Sequence, residues 1–201
     1  MSEPTLVLHE VLAAAGARSG RCDRIAGTPV PRTLVPVAAV VGTVARPGQF
    51  DRGFRPLTTR AAQRIADLPA AGLPPVRLVR VGALLFVEDG HHRVAAAVAR
   101  GQSTVTAAIR TTCTVAAVPH GLRATDLPLL AAERDFLRAV PLPDAATPHL
   151  RLPSAAAYAE LAERAQRWWG GPLDAAAAAA WWELDVRARP GVTTAAEYLA
   201  S

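Results

Sequence analysis

Lysine and asparagine are missing from this 201-residue sequence, so all 22 of its basic residues are arginine. Without lysine there is no phosphate-binding loop of the G-x-x-x-x-G-K-[ST] type and no Schiff-base nucleophile. Cysteine is reduced to Cys22 and Cys113, which sit in no paired motif, so nothing outlines a disulfide framework. No stretch reaches the ~18 consecutive apolar residues of a membrane span. The opening MSEPTLVLHEVLAAAGARSG carries Glu3, His9 and Glu10 where a secretory signal would be basic and then apolar. These absences predict a cytoplasmic, reducing location and no membrane partner. No G-x-S-x-G elbow marks a serine nucleophile, and no repeat of fixed period appears.

What is present suffices for a core: 51% hydrophobic residues against 19% charged is a globular balance. The length accommodates one large domain, or a medium domain with a smaller partner. Charge is unevenly placed. Residues 1–112 hold 14 Arg against seven acids, whereas residues 113–201 hold eight Arg against ten acids. An electropositive first half favours a phosphate-bearing partner, either nucleotide or DNA; a solvated arginine-rich surface would read the same way.

Patterning predicts an α+β protein in three parts: an N-terminal arm (1–32), a small mixed-sheet domain (33–112) and a helical C-terminal region (113–201). The arm holds a short helix over 5–15 and an Arg- and Gly-bearing loop over 16–32. Leu34 to Val44 is a β-branched run suited to one buried strand. After the loop 45–56, residues 58–68 form a helix with Ala61, Ile65 and Leu68 on one face. Val76–Val81 and Leu84–Val87 flank Gly82-Ala83 as a hairpin, a helix over 91–100 stops at Gly101, and Val105–Ile109 returns as a strand. Beyond 123 come helices: one over 126–140, one capped by Ser154, one by Asp174, and a last one opened by the capping box Thr194-x-x-Glu197. Trp168, Trp169, Trp181 and Trp182 read as packing residues of a helical hairpin rather than a base-stacking platform.

The stretch FVEDGHHRVAAAVARG, residues 86–101, carries the chemistry. A helix starting at Gly90-His91 points its free N–H groups and the positive end of its dipole back toward the strand end. Gly90, lacking a Cβ, would let a phosphate approach the backbone, and His92 and Arg93 would add charge-assisted hydrogen bonds. The alternative is structural: Asp89 as a cap, Arg93 as its ion partner, and the histidines merely exposed. A metal site is disfavoured, because adjacent helical residues diverge by about 100° and His91 and His92 would not share an ion.

VEDGHHRVAAAVARG, followed by VTAAI and preceded by LPPVRLVRVGALLFVEDG, LVPVAAVVGTV and FDRGFRP, resembles the second conserved box of the ParB/sulfiredoxin-like superfamily over roughly residues 33–112. In that superfamily a glycine and a short Arg-bearing motif open a helix. The sulfiredoxin branch places its catalytic cysteine where this chain has His91. Chromosome-partition members carry an acidic residue and two arginines after the glycine, bind CTP and add a helix-turn-helix; here only Arg93 of the pair is present, with His92 beside it. Other relatives phosphorylate free serine with a nucleotide donor and share the form D-G-x-x-R. The resemblance implies a binder of a nucleoside di- or triphosphate, with or without Mg²⁺, acting as a phosphotransferase or nucleotide hydrolase. Gly90, His91, His92 and Arg93 would hold the phosphates and Arg46 and Arg55 would close over them. Glu88, Asp89 and His91 are the candidate catalytic residues, the two acids as base or Mg²⁺ ligand. The competing reading is a non-catalytic, DNA-associated regulator.

Overall fold

The computed structural model describes residues 5–18 and 32–201. Most of the loop expected over 16–32 therefore lies outside the described residues. The protein is α+β, with a mixed six-stranded sheet and a helical C-terminal region. It divides into two compact units. One comprises Met1–Ala13, Ala17–Thr114 and Val118–Ala124; the other comprises Ala14–Gly16, Val115–Ala117 and Thr125–Ser201.

The strands of the first unit are β1 (Leu6–Val7), β2 (Thr33–Pro36), β3 (Val40–Thr43), β4 (Val76–Val81), β5 (Leu84–Asp89) and β6 (Thr104–Thr112). Their spatial order is β1-β3-β5-β4-β6-β2. β3 runs parallel to β5, so Thr43 and the end of β5 emerge at the same edge, with Thr43 paired to Val87. The β4–β5 hairpin forms as expected, around Gly82 in a left-handed conformation.

Two features differ from the sequence reading. The run Leu34–Val44 is not one strand. Pro36 lacks the N–H that a continuing ladder requires, and a 3-10 turn over Val37–Ala39 separates β2 from β3. β2 then pairs with β6 at one margin of the sheet, whereas β3 lies between β1 and β5. The N-terminal segment is also no detached arm. Leu6 and Val7 pair with Gly42 and Thr43, Thr5 Oγ1 donates to the Phe50 carbonyl at 2.6 Å, and the helix α1 (Leu8–Ala15) follows.

Two of this unit's helices, α2 (Thr59–Ala66) and α3 (His91–Ala99), bear on the site. Thr58 caps α2 by accepting from Ala61 N–H. Val94, Ala95 and Ala97 of α3 and Ala61 of α2 share a core with Leu78, Leu85, Val87, Ala107 and Ile109 of the sheet. Small residues on α3 let helix and sheet approach closely. Val79, Val81 and Phe86 are buried from the opposite face.

The second unit contains α4 (Leu127–Ala139), α5 (Ala155–Trp169), α6 (Ala175–Trp181) and α7 (Ala195–Ala200), with a π-helical turn over Trp182–Val186. Ser154, Asp174 and Thr194 cap their helices, and Thr194 and Glu197 complete the capping box. Phe136, Leu161, Trp181 and Trp182 centre its core. Buried Glu133 accepts from Ala117 N–H and from the Tyr158 hydroxyl, both at 3.1 Å. Burial, with the Glu133 charge beside it, pushes the Tyr158 phenol well above its ordinary range. The tryptophan reading holds for Trp181 and Trp182 only. Trp168 and Trp169 are 40% and 52% exposed and stack on each other, because α5 ends one residue later at left-handed Gly170.

No helix among the described residues is long and apolar enough to cross a membrane. The tightest point of the sheet is Gly42, where an added Cβ would lie 2.5 Å from Phe86 Cδ1 and 2.6 Å from the Leu6 carbonyl oxygen. Gly42→Ala should therefore destabilise the protein by about 1–3 kcal/mol, read as a lower urea midpoint at unchanged slope.

Candidate functional site

The parallel β3 and β5 carry their carboxyl ends to one edge of the sheet, a position where α/β sheets commonly bind ligands. β5 runs out through Asp89 into Gly90, which has φ 100° and serves as N-cap of α3 without any side-chain cap. The N–H groups of the first turn are thus left facing out of the helix end. The Cβ space at Gly90 is not free for a ligand, however: a methyl there would meet Val76 Cγ1 at 2.8 Å and the Arg93 guanidinium at 3.0 Å. Glycine is required here by its φ and by this packing.

His91 is turned inward, 5% exposed, and its Nε2 lies 2.6 Å from Thr43 Oγ1. That oxygen already accepts the N–H groups of Ala45 and Arg46, so it uses its own proton to donate to His91. The imidazole is accordingly neutral, with its proton on Nδ1. Burial, reinforced by the positive charges of Arg46 and His92, lowers its pKa to about 4. Phe50, whose carbonyl is held by Thr5, stacks on the His91 ring and meets His92 edge-on. His92, one residue further round the helix, faces outward.

Two adjoining clefts open here. One, of about 350 Å³, is lined by the Asp89–Arg93 corner together with Arg46, Arg64, Leu68, Leu73 and Pro74. The other, of about 280 Å³, is lined by Arg46, Gln49, Thr58, Arg60, Ala61, Arg64 and His92. Arg46, Arg64 and His92 belong to both. Burial first, then the positive charge of Arg46 and Arg64, lowers the His92 pKa. Among the described residues no carboxylate forms an ion pair with Arg46, Arg60 or Arg64; Arg46 reaches only Gln49 Oε1, at 3.4 Å.

Of the residues singled out in the sequence, the structure gathers Arg46, Asp89, Gly90, His91, His92 and Arg93 around the first cleft. Arg93 is already engaged. It donates to Asp89 Oδ2 at 2.5 Å and to the carbonyls of Pro74 and Pro75 at 2.7 Å, and its side chain is 15% exposed. Glu88 is not part of the cleft. Glu88 is the extra residue where the β4–β5 register shifts, and it is gripped through two nitrogens each by Arg77 and Arg110. Burial alone would raise its carboxyl, but those hydrogen bonds outweigh it and hold the pKa below the ordinary value. Arg55 is exposed outside the lining, its N–H bonded to Asp51 Oδ1. Arg60 and Arg64 were missed. Their signal was a four-residue spacing on α2, beside Ala61, with no acid in that helix to pair them.

Among the described residues no group of three or more His, Cys, Asp or Glu is placed to hold a metal ion, and Asp89 is the one acid in the lining of either cleft. Cys113 is disulfide-bonded, which overturns the expectation of two unlinked thiols; the chain's other cysteine, Cys22, lies outside the described residues. No family model matches the chain, and neither the curated proteins nor the solved structures contain a match.

Two outcomes follow. His91 titrates near 6.5 when unfolded but near 4 when folded, so between those values the unfolded chain binds the extra proton. Stability should be full above about pH 6.5 and fall toward pH 4, by up to about 3 kcal/mol from this residue. His91→Gln should flatten that part of the profile in urea titrations at stepped pH. In an unreduced sample, alkylation under denaturing conditions should leave Cys113 unlabelled; labelling at one equivalent would contradict the disulfide.

Proposed function

We propose that the cleft at the start of α3 binds the phosphate groups of a nucleoside di- or triphosphate, with or without Mg²⁺. The observation that carries this is the set Arg46, Arg64 and His92, in which, among the described residues, neither guanidinium forms an ion pair with a carboxylate, beside the uncapped N-terminus of a nine-residue helix. Backbone N–H groups and guanidinium forks aimed at one space are what a phosphate requires. The resemblance of the DGHHR box to the ParB/sulfiredoxin-like superfamily supports the same reading.

Within it the residues divide their roles. Arg46, Arg64 and His92 contact the phosphates. His91, buried and neutral, positions the corner through Thr43. Arg93 braces it from behind by holding Asp89 and the Pro74 and Pro75 carbonyls. If the protein transfers or hydrolyses the phosphate, Asp89 is the acid in reach, because Glu88 is committed to Arg77 and Arg110 and lines neither cleft. Binding is the part of the reading that the geometry supports best. A nucleoside phosphate points to the cytoplasm, whereas a disulfide at Cys113 is characteristic of an oxidising compartment. Cell fractionation with redox trapping of Cys113 decides the location.

The test is a screen of ATP, ADP, CTP and GTP, with Mg²⁺ and with EDTA, read as thermal stabilisation. A ligand at 100 times its Kd stabilises by about 2.7 kcal/mol. Arg46→Ala should weaken the preferred nucleotide about 10- to 150-fold, the loss of one charge-assisted contact, while Arg55→Ala leaves it unchanged. Arg93→Ala should lower the melting temperature even without ligand. Stabilisation by none of the four would end the reading. A steep log-log loss of DNA binding with salt, with no nucleotide effect, would favour the DNA-associated alternative.

A further inference from the structure

The two adjoining clefts differ in chemistry. The one at the α3 end is floored on one side by Leu68, Leu73 and Pro74. The other has no such apolar wall and adds Arg60 and Thr58 to the shared Arg46, Arg64 and His92. At about 350 and 280 Å³, the first lies near the lower end of the ~300–1,000 Å³ range of small-molecule sites and the second below it, so a ligand of nucleotide size would extend across both. Arg60 and Arg64 are also four residues apart on one helix, a like-charge spacing that disfavours the isolated helix, and among the described residues no acid forms an ion pair with either. A bound anion would neutralise both.

We infer that Arg60 and Arg64 form a second anionic subsite, so that the ligand is a nucleoside diphosphate or longer polyphosphate rather than a monophosphate. Its organic end rests on Leu68, Leu73 and Pro74, its first phosphate meets Arg46 and His92 at the α3 end, and its terminal phosphate lies in the fork of Arg60 and Arg64. Two guanidiniums facing one phosphate can donate parallel pairs of hydrogen bonds, which a single ammonium could not. This assignment rests on the phosphate-binding reading above and gives Arg60 and Arg64 their place within it.

The experiment compares a nucleoside monophosphate, the matching diphosphate and inorganic pyrophosphate by calorimetry, in EDTA, on wild type, Arg60→Gln and Leu68→Ser. Both side chains lie on the surface side of α2 or just after it, and melting curves confirm that the variants fold. Wild type should bind the diphosphate at least tenfold tighter than the monophosphate. Arg60→Gln should erase that difference and weaken pyrophosphate, yet leave the monophosphate as in wild type. Leu68→Ser should weaken both nucleotides and spare pyrophosphate. Equal wild-type affinities for mono- and diphosphate, or an Arg60→Gln loss that is the same for both, would overturn the second subsite and leave the phosphate cleft standing. If wild type bound none of the three, the cleft reading itself would fail.

Discussion

The hydrogen bond from Thr43 to His91 ties the end of β3 to the first residue of α3. Thr43 also holds the N–H groups of Ala45 and Arg46, so a single hydroxyl sets where the chain leaves the sheet and where Arg46 begins. His91 can occupy this buried place only as the neutral base, since an imidazolium there would be desolvated and would face Arg46 and His92. Phe50 covers the ring, and Thr5 in turn holds Phe50 through its carbonyl. The site's cationic surface is thus built over an uncharged joint. Of two histidines adjacent in sequence, one belongs to the framework and the other to the cleft.

Much of the secondary structure was legible because its boundaries are chemical. Thr58, Ser154, Asp174 and Thr194 each accept from a backbone N–H three residues on, and Gly82 makes the turn of the β4–β5 hairpin. The break at Pro36 was in plain sight as a missing N–H, but a β-branched run overrode it. Glu88 and Asp89 sit where the β4–β5 register shifts, and their different partners, Arg77 and Arg110 for one and Arg93 for the other, come from the fold and not from their adjacency in sequence. Arg60 and Arg64 were overlooked for a different reason: a polar helix face looks the same in sequence whether solvent or a ligand covers it. The bond at Cys113 depends on distance in space, which two isolated cysteines do not reveal.

The excess of arginine in the first half does not translate directly into an open cationic surface. Several of its arginines are spent on structure: Arg77 and Arg110 on Glu88, Arg93 on Asp89 and two carbonyls, Arg100 on the carbonyls of Leu68 and Pro69. What distinguishes the cleft is that Arg46, Arg60 and Arg64 line it without an ion pair among the described residues, its one lining acid, Asp89, being held by Arg93.

The segment after Pro36 also has a geometric meaning. Four residues carry the chain from Pro36 in β2 to Val40 in β3, strands separated by four steps across the sheet. Four strand spacings in a flat sheet come to about 19 Å. Four residues reach at most about 14 Å even when extended, and less where three of them are wound as a 3-10 turn. The sheet must therefore curl until its margins approach, like a barrel left open. Val37 and Val40 of that short bridge share a core with Val94, Ala95 and Ala97, which places α3 inside the curl. α3 is thereby packed on the sheet's inner side, with His92 and Arg93 of its first turn at the cleft.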